Sequence, residues 1–175
     1  MSRLHSYNNN AKKLIETYNG EIPFAIFQKQ FFAANKKYGA KDRRHISALC
    51  YNYFRMGFAG AAIAPHQKML MATFLCDTEP SILMENLKPE WNEKISMPIK
   101  EKLAATESEF SLTDIFPFSN ELSDGIETVE FCKSFLVQPD LFIRIRPKTS
   151  ISVLKIYKFF RLSFICWGVS LNCAK

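Results

Sequence analysis

Glycine is scarce in this chain: six in 175 residues, at positions 20, 39, 57, 60, 125 and 168. Scattered so widely, they form no GxGxxG and no GxxxxGK[ST], the loops in which glycine lets backbone amides close around a phosphate. A P-loop and a dinucleotide fingerprint are thereby excluded. Histidine is scarcer still. His5, His45 and His66 stand at no ligand spacing from a cysteine or a carboxylate, so no metal is expected. The five cysteines, Cys50, Cys76, Cys132, Cys166 and Cys173, are odd in number and contain no CxxC pair. They make neither a disulfide framework nor a zinc knuckle, and none lies in a setting that marks a covalent nucleophile. Long apolar runs are missing too. The most apolar stretch, Leu162 to Leu171, is about half the length a transmembrane helix needs. Residues 1–20 are polar and amphipathic, with no apolar core of a signal peptide. The expectation is a cytoplasmic chain that no membrane holds.

What is present is a globular composition, 47% hydrophobic and 23% charged, which belongs to a folded chain rather than a disordered one. The formal net charge of +6 conceals three blocks. Residues 1–68 carry eleven Lys/Arg against three Asp/Glu, and residues 69–140 carry five against fourteen. Residues 141–175 carry seven against none. Two basic blocks flank an acidic middle, so partners are to be read from local patches rather than from the total.

Most of the chain has helical periodicity. Leu4, Tyr7, Ala11, Leu14, Ile15 and Tyr18 follow a three-four spacing that Gly20 can stop. Pro23 can open a second helix bearing Phe24, Phe27, Phe31 and Ala34, with Gly39 as its stop. Asp42 is the expected N-cap of a third, with Ile46, Leu49, Cys50, Tyr53 and Phe54. Pro65 opens a fourth through Phe74, Pro80 a short fifth, and Pro98 a sixth to about Thr106. Residues 107–123 lose the period and read as a loop pinned by Phe110, Ile115, Phe116 and Phe118; a last helix spans about 126–136. From Asp140 the period changes to two: Leu141, Ile143 and Ile145 share one face, Phe142, Arg144 and Arg146 the other. Thr149 or Ser150 can cap a following helix, and 163–169 can form a second strand. The fold class expected is therefore mainly α, residues 1–137, followed over 138–175 by an incomplete β-α-β.

Two places carry chemistry. Lys36, Lys37, Lys41, Arg43 and Arg44 crowd around the start of the third helix, where free N–H groups also attract anions. A nucleic-acid phosphate fits there; so does neutralisation of these cations by the acidic middle segment, or pairing of an arginine with Asp42. On the later strand, Phe142, Arg144 and Arg146 offer one stacking ring and two guanidinium forks, as single-stranded RNA modules do. An edge strand kept soluble by charge has the same pattern. His45 reads as a surface histidine, the aromatics of residues 24–54 as core, and Trp91 as a packed anchor between helices.

The run Asn35-Lys36-Lys37-Tyr38-Gly39-Ala40-Lys41-Asp42-Arg43-Arg44-His45-Ile46, with Tyr51-Asn52-Tyr53-Phe54-Arg55 after it, resembles the N-terminal region of the Nop2/Sun (Fmu) RNA cytosine-C5 methyltransferases. The likeness is to the bacterial B-type enzymes that act on small-subunit ribosomal RNA. The segment Gln138-Pro139-Asp140-Leu141-Phe142-Ile143-Arg144-Ile145-Arg146-Pro147 is similar to the strand that opens the family's small RRM-like subdomain, with Pro147 where the family shows Asn. The resemblance covers roughly residues 1–160. It implies a NusB-like helical RNA-binding bundle, then the start of an RRM-like subdomain, with ribosomal RNA of the small subunit as partner. It implies S-adenosylmethionine as the cofactor of the full-length family, but the glycine-containing loop and catalytic cysteine motifs of that domain are not in this sequence. Cys166 and Cys173 do not match them, so no catalytic residue carries over. The expectation is a chain truncated before its catalytic domain, monomeric, holding no cofactor itself. Two other readings stand beside it: a stand-alone helical protein-interaction module of antitermination type, and a non-functional gene remnant.

Overall fold

Apolar side chains recurring every three or four residues set the architecture. A computed structural model describes residues 3–106 and 110–138. Among the described residues there is no strand, and the chain is mainly helical, as its periodicity requires. The α-helices are α1 (Arg3–Thr17), α2 (Phe24–Ala34), α3 (Ala40–Arg55), α4 (Pro65–Cys76), α5 (Ile82–Leu87), α6 (Pro89–Asn92), α7 (Ile99–Ala105) and α8 (Thr128–Leu136). All belong to one compact unit, Met1–Val137. The β-α-β expected from Asp140 onward, with Phe142, Arg144 and Arg146, lies outside the described residues.

Helix α4 is the centre. Every residue from Lys68 to Leu75 is buried, the signature of a helix surrounded on all sides. Helix α3 packs against it on one side and against α1 on the other, and α5, α7 and α8 also touch α4. Leu14, Ile46, Met69 and Phe74 are fully enclosed between these elements, each contributing roughly 1.5–3 kcal/mol by leaving water. Trp91 stacks on Phe74 at 5.3 Å and 17° between ring planes. Two lysines are buried in this frame with their ammonium groups satisfied. Lys68 Nζ donates to the Gly57 carbonyl at 3.1 Å and lies over the Tyr53 ring, while Lys102 Nζ donates to the Asp77 carbonyl. Gly57 has a positive φ of 50°, and a Cβ there would meet Ile115 O at 2.2 Å. Only glycine lets the turn after α3 approach residue 115 so closely.

Several boundaries differ from the sequence reading. Gly39 does not stop α2. That helix ends at Ala34, where Asn35 folds back and donates to Phe31 O from both its backbone N (3.1 Å) and its side-chain Nδ2 (2.8 Å). Gly39 is instead the N-cap of α3, and Asp42 stands at the third helical position. From there its carboxylate accepts the Gly39 N–H at 2.9 Å, which does the capping from inside the helix. Ser81, not Pro80, caps α5, its Oγ accepting the Met84 N–H at 3.2 Å. Helix α6, a single turn carrying Trp91, was not expected at all. Within 107–123, residues Leu112–Ile115 and Ser119–Glu121 form 3₁₀ turns, with Leu112 and Ile115 buried. No described helix is long and apolar enough to cross a membrane.

Candidate nucleic-acid interface

The basic segment is held by one aromatic anchor. Tyr38, only 8% exposed, lies face to face with Phe31 at 6.0 Å and edge-on to Phe32 at 5.7 Å. Its hydroxyl donates to Asn10 Oδ1 at 2.7 Å, which ties the segment to α1. A second tie runs in parallel: Tyr7 Oη donates to Asp42 Oδ1 at 2.7 Å. Asp42 therefore serves Tyr7 with one oxygen and Gly39 with the other. A charged acceptor strengthens both bonds.

Around this frame Lys36, Lys37, Lys41, Arg43 and Arg44 are all exposed. Lys37 lies over the Tyr38 ring at 5.1 Å, and Arg43 lies over Phe32 at 5.8 Å while its Nε donates to Tyr38 O at 2.9 Å. Among the described residues, none of the five pairs with a carboxylate; the ion pairs seen are Lys12–Glu16, Lys88–Glu90 and Lys133–Glu130. Among the described residues, then, no carboxylate of the acidic middle segment forms an ion pair with the cluster.

The first turns of α3 also border a cavity of about 650 Å³ between α1, α3, α4 and α5. Lys41, His45, Ala48 and Asn52 line it from α3, and Thr73 and Asp77 line it across from them. His45 stacks on Tyr7, ring centroids 5.1 Å apart and planes 16° from parallel. Partial burial, then the charges of Lys41 and Arg44, hold its pKa below the usual histidine value, against a smaller opposing pull from Asp42. The shift favours the neutral imidazole. Burial pushes the Asp77 carboxyl above its usual range, although Lys102, Arg55 and a hydrogen bond from Asn52 oppose the shift.

The arrangement can hold anions and stack rings. Burial pushes the Cys50 thiol up to about 12 and the Cys76 thiol to about 11, so both stay protonated and unreactive at neutral pH. Among the described residues no group of three or more His, Cys, Asp or Glu is placed to hold a metal ion. Sequence reasoning singled out the cations and missed the cavity beside them. The signal it had was the spacing 41-45-48-52, one face of α3 on which polar residues hid the pattern. No protein-family model, no curated protein and no solved structure matches this chain.

Proposed function

We propose that the helical unit is an RNA-docking module, the NusB-like N-terminal part of an S-adenosylmethionine-dependent ribosomal RNA cytosine-C5 methyltransferase. Lys36, Lys37, Lys41, Arg43 and Arg44 contact the phosphates of small-subunit ribosomal RNA, and the unit itself does no chemistry. One observation carries this reading: five exposed cations stand on an aromatic-braced segment with no carboxylate partner among the described residues. Like charges held together repel one another, and an anionic partner relieves that repulsion. The family assignment rests on the sequence resemblance at 35–46 and 51–55.

The described residues contain no glycine-rich cofactor loop: among their left-handed glycines, Gly57 and Gly60 share the turn between α3 and α4, and Gly20 and Gly125 stand apart from them. No step of methyl transfer is assigned to them.

Fluorescence anisotropy with a labelled single-stranded RNA tests the reading. The double variant Lys41→Glu/Arg44→Glu is expected to lose at least about tenfold in affinity at low salt, since two phosphate contacts become repulsions. These two positions are preferable to Arg43, whose Nε holds the Tyr38 carbonyl and whose loss would disturb the segment itself. An affinity unchanged by the double reversal refutes phosphate docking at this site.

A further inference from the structure

The cavity beside the basic segment has a chemistry of its own. Its size, about 650 Å³, lies within the range of small-molecule sites, and its wall is mostly apolar, with Leu49, Leu83 and Ala48 among the lining residues. The His45–Tyr7 stack borders it, and Lys41 stands on the same face of α3 as His45. Asn52 lines the cavity further along α3, Thr73 and Asp77 lie across from it, and their hydrogen bonds can be followed one by one. The Thr73 hydroxyl donates to Met69 O at 2.9 Å, so its oxygen is left as an acceptor. Asn52 Nδ2 faces that oxygen at 3.4 Å. An acceptor at Thr73 fixes which end of Asn52 is the NH₂. What this wall offers a guest is the Asn52 carbonyl oxygen and the Asp77 carboxylate, both acceptors.

A guest must therefore bring hydrogen-bond donors to the far wall, a flat apolar body to the middle and an anion to the mouth. A nucleotide of unpaired RNA combines the three, because a splayed-out base exposes its donor edge and its ring face while its phosphate stays outside. Uracil is a poor guest, since the one N–H on its pairing edge is flanked by carbonyl oxygens that would face the acceptors. Adenine, cytosine and guanine present an exocyclic amine instead, and guanine adds the N1–H beside it.

We propose that this cavity receives one unpaired base bearing an exocyclic amine, guanine, adenine or cytosine and not uracil, with its phosphate held at Lys41 and Arg44. The inference rests on the RNA-docking reading and names what part of the RNA that site selects. His45 and Tyr7 flank the entering nucleotide, and Asn52 and Asp77 read its amine.

Nuclear magnetic resonance on the ¹⁵N-labelled full chain tests it, with adenosine, cytidine, guanosine, uridine and inorganic phosphate added separately. Guanosine, adenosine and cytidine are expected to shift the amides of His45, Ala48, Leu49 and Leu83, and uridine to bind about fivefold more weakly, the worth of one hydrogen bond. Ala48 is exposed at the rim, so Ala48→Trp blocks the cavity without opening the core. That variant is expected to abolish the nucleoside shifts and to keep the salt-dependent binding of RNA. Silence towards all nucleosides, an equal response to uridine, or undiminished shifts in Ala48→Trp overturns the base pocket. Inorganic phosphate is the independent arm. If it shifts residues 36–44 while the nucleosides are silent, docking stands and the pocket falls. If the nucleosides shift the cavity while neither phosphate nor RNA touches residues 36–44, the pocket stands and docking falls.

Discussion

The salt dependence of RNA binding gives the docking reading a number. Each phosphate neutralised on a single strand contributes about −0.7 to the slope of log affinity against log salt. Lys36, Lys37, Lys41, Arg43 and Arg44 are exposed without carboxylate partners among the described residues, which allows five contacts and a slope of about −3.5. Raising salt from about 50 to about 200 mM should then weaken binding roughly a hundredfold. The neutral variant Lys41→Gln/Arg44→Gln removes two contacts, leaving a slope of about −2.1 and a loss of roughly twentyfold over the same range. Glutamine keeps the length and helix propensity of both positions, and neither side chain is buried, so the fold should survive. Titrations at four or five salt concentrations, read by anisotropy, give both slopes. A double variant that weakens binding without flattening the slope would mean these side chains act by some route other than phosphate contact. A wild-type slope near zero would refute the electrostatic argument altogether.

Gly57→Ala should be costly although it adds one methyl. The left-handed φ of 50° costs an L-residue roughly 1–2 kcal/mol, and a Cβ placed 2.2 Å from Ile115 O must push the backbone aside for roughly 1–3 kcal/mol more. Thermal unfolding should drop by roughly 10 °C, and a change of only a degree or two would show that the turn is not held where described. Below pH 7 the chain should lose stability through His45. Its folded pKa lies below 6.5, so as pH falls through that value the unfolded chain takes up the proton first and gains; the loss ends once pH passes the folded pKa. Thermal unfolding at pH 5–7.5 should show that limb in the wild type and a flatter one in His45→Gln, whereas identical profiles would sink the assignment.

How much of this was legible beforehand depends on where the deciding partner sits. Helices α1, α3, α4 and α8 were readable because their apolar faces repeat within one segment, and burial of Leu14, Ile46, Leu49 and Phe74 follows from that repeat. Helix α6 was not, because four residues are too few to show a period. The start of α3 was misplaced by three residues for a subtler reason. Both Gly39 and Asp42 can cap a helix, and the local sequence does not rank them. Tyr7, 35 residues away, takes one oxygen of Asp42, and that long-range bond helps hold the carboxylate inside the helix rather than ahead of it. The cavity was hidden in the same way. Asn52 looks like any polar residue until α4 supplies Thr73 and the residue that follows the helix, Asp77, turns its amide toward them.

The position of Asp42 also bears on why the cations are there. Positive side chains in a first helical turn oppose the helix dipole, by roughly 0.3–1 kcal/mol each when exposed. One carboxylate at the third helical position works in the opposite direction, and here it is fixed by two hydrogen bonds rather than left to wander. The local strain of starting a helix among Lys41, Arg43 and Arg44 is therefore offset by a residue already committed to holding α1 against α3. Arg43 contributes to the frame through Tyr38 and Phe32, but Lys36, Lys41 and Arg44 make no contact among the described residues that folding would need. A fold that compensates its cations internally and still turns them outward keeps them for something outside itself. Replacing Lys36, Lys41 and Arg44 together by glutamine should accordingly leave thermal stability level or slightly raised while RNA affinity collapses; a protein that unfolds instead would show that the three belong to the frame.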